Sequence, residues 1–104
     1  MAQWEPAPDL VALAARVVAA RDEVRHVDLS DVLILWERET RPKALARTYS
    51  LHDHPAGFAI PQPFAIVFYA QSCDYMTARQ LAMLMWHELR HIPDRGYKLV
   101  DHDV

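Results

Sequence analysis

A chain of 104 residues, 52% of them hydrophobic, can fill one core without disulfide or metal staples, and it reads as one domain over residues 1–104. The formal charge is −3 and Lys and Arg form no stripe, which argues against a nucleic-acid backbone as partner. The lone cysteine, Cys73, excludes an intrachain disulfide, and no apolar run reaches membrane-span length or follows a charged leader, so a cytoplasmic protein without membrane contact is expected.

Residues 1–8, with Trp4, Pro6 and Pro8, read as an irregular lead-in. Asp9 suits an N-cap, and Leu10, Leu13, Ala14, Val17, Val18 and Val24 then mark an apolar stripe, predicting an amphipathic helix over 9–24. Residues 32–36, Val-Leu-Ile-Leu-Trp, form a short branched run that suits a central strand. Arg41-Pro42 reads as a turn. Beyond it Leu45, Arg47, Tyr49 and Leu51 alternate with Ala44, Ala46 and Thr48, so the two runs are expected to form a hairpin.

Residues 52–57, His-Asp-His-Pro-Ala-Gly, are a loop by their breakers, with His52 and His54 read first as polar turn residues and second as supports for a site. Residues 64–70, Phe-Ala-Ile-Val-Phe-Tyr-Ala, are aromatic and branched, and Pro61 and Pro63 ahead of them point to a strand start or a sheet edge. The expected architecture is α+β, with an N-terminal helix, a three-stranded and mostly antiparallel sheet, a buried helix carrying the site, and a short C-terminal tail.

The buried helix is predicted from Thr77 onward. Thr77 and Gln80 make a capping-box pair, Leu81, Leu84, Met85, Leu89 and Ile92 recur at three- and four-residue spacing, and Pro93 ends the run. Late in it stands His87-Glu88-Leu89-Arg90-His91. Two histidines four apart lie about 40° from each other around a helix and roughly 6 Å apart along it, so both imidazoles can reach one Zn²⁺. Glu88 projects about 100° from His87, where it can serve a water as general base. Burying these polar groups among apolar neighbours without a partner would be costly, and a metal removes that difficulty.

Catalytic zinc takes three protein ligands and keeps one position open. His102, eleven residues after His91, has enough chain to turn at Gly96 and return, and it is the expected third ligand. Asp94, Asp101, Asp103, His52 and His54 are the alternatives. Asp101 or Asp103 can take the second N–H of a ligating histidine, and Tyr97 and Arg95 are candidates to stabilise an oxyanion. Cys73 reads as a small buried hydrophobe.

The segment from His87 to Ile92, then Tyr97-x-Leu99, then His102-Asp103-Val104 resembles the phage metallopeptidase family of small zincin-like proteins, and more distantly the SprT-like and minigluzincin groups. The earlier chain is similar in layout only. The resemblance implies a zincin fold, with His87, His91 and His102 as zinc ligands, Glu88 as the base, and an extended peptide or protein substrate along the 64–70 strand or a hairpin edge. The expected activity is that of a metallopeptidase. A non-catalytic phage or mobile-element regulator with a structural metal is the rival.

Overall fold

The computed structural model describes residues 3–52 and 60–100. Among these, four strands form one sheet: β1 (Trp4–Pro6), β2 (Val32–Glu37), β3 (Ala46–Ser50) and β4 (Phe64–Tyr69). Two helices, α1 (Pro8–Ala20) and α2 (Ala78–Leu89), complete the α+β architecture.

The sheet order is β1-β2-β4-β3. The expected hairpin between residues 32–36 and 43–51 does not form, because β4 inserts between them, parallel to β2 and antiparallel to β3. The sheet is therefore mixed and four-stranded rather than three-stranded and mostly antiparallel. Burial explains the order. All six residues of β4 are buried, and a continuous apolar run is stable only where both faces are covered. By contrast β3, with Arg47, Thr48 and Ser50, is half-exposed and tolerates an edge. Pro61 and Pro63 mark the start of β4 and not a sheet edge. The lead-in supplies the fourth strand, with Pro6 opposite Leu35 on the outer strand, where a proline removes no interior ladder bond.

Side-chain alternation divides the sheet into two faces. Val32, Ile34, Phe64, Ile66 and Phe68 join Leu10, Leu13, Val17, Met85 and Leu89 in the main core, so both helices cover one face. Leu35, Val67 and Tyr69 form a smaller cluster on the other, with Leu33, Ala44 and Tyr49 against it. Trp4 leans on Tyr49 with ring centroids 6.0 Å apart, linking the two outer strands.

Glu37 ends β2 at only 1% exposure. Its carboxylate accepts from the Thr40 hydroxyl and from the amides of Glu39 at 2.5 Å and Thr40 at 3.1 Å, closing the turn that leaves the strand. The Thr40 hydroxyl chiefly holds this carboxyl below its ordinary range, outweighing burial, and the two amides add to it.

Helix α1 begins one residue earlier than expected. Ala7 is the cap residue, Pro8 takes the first position, where its missing N–H costs nothing, and Asp9 falls in the first turn. There its charge opposes the helix dipole, and it accepts from the Trp36 indole at 3.1 Å. The helix ends at Ala20; Val24 is still buried, but in a separate 3-10 turn over Asp22–Val24.

Candidate metal centre

Helix α2 is set by its ends. Thr77 accepts from the Gln80 amide at 3.1 Å while the Gln80 side chain accepts from the Thr77 amide at 2.8 Å, the expected capping box. Its C-terminal half is the enclosed part, with Met85, Glu88 and Leu89 buried, whereas Met83 is 54% exposed. After Leu89 the backbone tightens: the His91 amide donates to Glu88 O and the Ile92 amide to Leu89 O, each at 3.1 Å, three residues back instead of four. His91 thus stands in a turn just beyond the helix proper.

The turn keeps the two imidazoles together. Their centroids are 5.3 Å apart and the rings meet edge to face at 86°. Glu88, 5% exposed, shares that space, its Oε2 lying 3.8 Å from His87 Nε2. The potential ligating atoms of His87, Glu88 and His91 all lie within 4.8 Å of one another.

Three further contacts shape this cluster. The His91 Nδ1 is 2.8 Å from the Val100 carbonyl, and since a carbonyl only accepts, Nδ1 is the donor, which leaves Nε2 as the ring atom that would ligate a metal. The Val100 amide donates to His91 O at 2.7 Å, so the tail is doubly fastened to the same residue. It gets there through Gly96, whose φ of +77° lies in the left-handed region open to glycine. On the opposite side Thr48 Oγ1 is 3.1 Å from Glu88 Oε1 and 3.1 Å from Glu88 O.

The two imidazoles on one short arc are a donor pair suited to zinc, with the Glu88 carboxylate beside them, and the His91 contact to Val100 fits that role. The cluster opens on a groove of about 370 Å³ that is also lined by β3 from Ala46 to Tyr49 and by Leu99. Among the described residues, no strand pairs with the outer edge of β3.

The remaining expected site residues are distributed as follows. His102, Asp101, Asp103 and His54 lie outside the described residues. Tyr97 is carried to His52, stacking on it with centroids 3.7 Å apart and planes within 9°, and the pair lines a different cavity from the groove. Asp94 lines that cavity too, and Arg95 is exposed. Cys73 is buried with its thiol against Leu45 O at 3.3 Å, and burial pushes its pKa up, the state of an inert thiol.

Sequence reasoning passed over Thr48, the Val100 backbone and His26. The last contacts Ile92 O at 2.8 Å and so pins the end of the turn holding His91. None of these carries a local pattern; each is recruited by a contact between distant segments.

No helix among the described residues is long and apolar enough to cross a membrane. No curated protein and no solved structure matches the chain. A family model does: the one described as "Putative phage metallopeptidase" matches residues 2–104.

Proposed function

The chain belongs to the phage metallopeptidase family, and from that membership we propose that it is a zinc-dependent peptidase acting on a peptide or protein substrate. The observation that carries this reading is the His87, Glu88 and His91 cluster opening on a groove walled by β3, whose outer edge is unpaired among the described residues.

His87 and His91 hold the ion in this reading, and His102 completes the set. His102 is the third ligand that the resemblance to the family implies, and Val100, the last described residue of the tail, is fastened to His91. Zinc bound there supplies Lewis acidity toward a water and the scissile carbonyl. Glu88 takes a proton from the attacking water at its carboxylate and delivers it to the departing nitrogen, so the acyl carbon gains a hydroxyl and the amine a hydrogen. Thr48 holds the Glu88 carboxylate in place for both transfers. An extended substrate adds as a strand to the outer edge of β3; of the two places expected, the 64–70 strand or a hairpin edge, the interior position of β4 leaves only an edge.

The test pairs metal analysis with peptide hydrolysis for wild type and Glu88→Gln. Both proteins are expected to carry about one zinc per chain, while hydrolysis in the variant falls by about 10²–10⁴-fold, the usual worth of a general base. Zinc binding without cleavage of any peptide in a random library would instead mark a structural metal and refute the enzymatic reading.

A further inference from the structure

Between the two helices lies a second groove, of about 340 Å³, that shares no lining residue with the one beside His87, Glu88 and His91. Two matching stripes build it: positions 13, 16, 17 and 20 of α1 and positions 79, 82, 83 and 86 of α2, with Arg21 at the end of α1. Each stripe has the spacing i, i+3, i+4, i+7 that puts side chains on one face of a helix. Leu13, Val17, Ala82 and Trp86 pack into the main core and form the floor. Met83, Arg16, Arg21 and Arg79 are the exposed part of the lining, together with Ala20.

The groove is apolar and cationic. No Asp or Glu is among its described lining residues, although the chain carries a net charge of −3. Arg25, Arg38 and Arg90 are each paired with a carboxylate, but Arg16, Arg21 and Arg79 are in no ion pair among the described residues. Arg79 also stands in the first turn of α2, where the helix dipole disfavours a cation and favours an anion. Trp86 supplies an independent observation: its indole N–H is buried with no hydrogen-bond partner among the described residues. Such an orphaned donor is rare in a folded chain and calls for an acceptor. The Arg21 guanidinium lies over the same ring, 4.7 Å from its centroid. Trp, Met and Arg are the residue types that protein interfaces concentrate at their centres.

We infer that this groove docks an acidic amphipathic helix of a partner protein. The occupant is a helix because α1 and α2 have paired their backbone groups internally. An extended segment finds no ladder to join there, whereas a helix satisfies its own backbone. Apolar residues of the occupant, at three- and four-residue spacing, cover Val17, Met83 and Trp86, and Asp and Glu beside them meet the three guanidiniums. A carboxylate that draws Arg21 off the Trp86 ring opens the indole N–H to an acceptor. A bilayer fits less well, since Leu13 and Val17 are buried on the groove floor and a flat surface meets the arginines first. Because the groove shares no residue with the metal cluster, docking there does not depend on the peptidase reading.

The experiment uses Glu88→Gln protein with zinc present, so that peptides are not cleaved, and a displayed library of random peptides of about 16 residues, or four to five helical turns. Peptides that also bind the Arg16→Gln/Arg79→Gln form are removed. The remaining binders are expected to carry Asp or Glu beside apolar residues at helical spacing. By anisotropy, a selected peptide is expected to bind about tenfold tighter than its copy with every Asp and Glu changed to Asn and Gln, the sum of three partly exposed ion pairs. High salt is expected to narrow that gap. Met83→Ser, at an exposed position, is expected to weaken both peptides, with unchanged circular dichroism as the control for folding. Recovery of no peptide that depends on Arg16 and Arg79, or of peptides without acidic residues, overturns the inference. Tighter attachment to phosphatidylglycerol vesicles than to any selected peptide also overturns it, in favour of a membrane face. Self-association that Met83→Ser abolishes does so in favour of a second copy of the chain.

Discussion

The hydroxyl of Thr48, on β3, meets the carboxylate of Glu88, forty residues later on α2, at 3.1 Å. A hydroxyl has one proton to give, and the Glu88 carbonyl lies at the same distance, so Thr48 ties the edge strand to both the backbone and the side chain of one residue. Replacing Thr48 with Val keeps the shape and removes the donor. In the proposed reaction the variant is expected to lose about tenfold in kcat, the worth of one hydrogen bond to a charged group, with little change in KM or zinc content. Steady-state kinetics beside metal analysis checks it, and an unchanged kcat would remove Thr48 from the site.

The fastening of the tail to His91 yields a second prediction. Val100→Pro deletes the amide that donates to His91 O at 2.7 Å, which loosens the Val100 carbonyl that the His91 ring contacts at 2.8 Å, and is expected to weaken zinc binding by up to about tenfold, the low end of the loss when a ligating histidine's outer partner is removed. His102→Ala is expected to weaken it further. Competition with a chelator of known affinity measures both. Unchanged zinc in His102→Ala would move the third ligand to His52, His54 or an aspartate.

Two substitutions separate local from tertiary contributions to α2. Thr77→Ala opens the capping box and is expected to cost about 0.5–2 kcal/mol. Leu89→Ala, at a fully buried position of the main core, is expected to cost about 2–5 kcal/mol through lost burial and the cavity left behind. Denaturant midpoints for both variants, compared with wild type, give the order; equal losses would mean that capping matters as much as packing here.

Glu37 makes stability depend on acid. Its carboxyl is held below the ordinary range by the Thr40 hydroxyl, so its contribution is fully present above the usual carboxylate pKa and is lost as pH falls through the lowered folded value. Glu37→Gln is therefore expected to lower Tm near neutrality, with the gap to wild type closing in acid. A gap independent of pH would show that the charged form plays no part.

Both helices, the capping box and the paired histidines were legible because each is a local pattern. Spacing of three and four residues decides which side chains share a helix face whatever surrounds them. Within Ala46–Ser50 the alternation was legible for the same reason and put Thr48 on the opposite face from Arg47 and Tyr49; ahead of the strand it failed, since Ala44 packs with Tyr49 and Leu45 with Ala46. What could not be read was which strand pairs with which. Residues 32–36 and 64–69 are equally apolar, and a hairpin is the shorter connection, yet β4 takes the centre because only there are both of its faces covered.

The amino-acid order alone thus determined the α+β class and the candidate metal-binding pair, since helical geometry brings residues four apart together without help. The tertiary structure alone decided that β3 forms the outer edge beside that pair, that Thr48 reaches Glu88, and that the chain reverses at Gly96 to set Val100 on His91. Those choices follow from burial and hydrogen-bond satisfaction between segments far apart in the chain, a competition that no single stretch of residues contains.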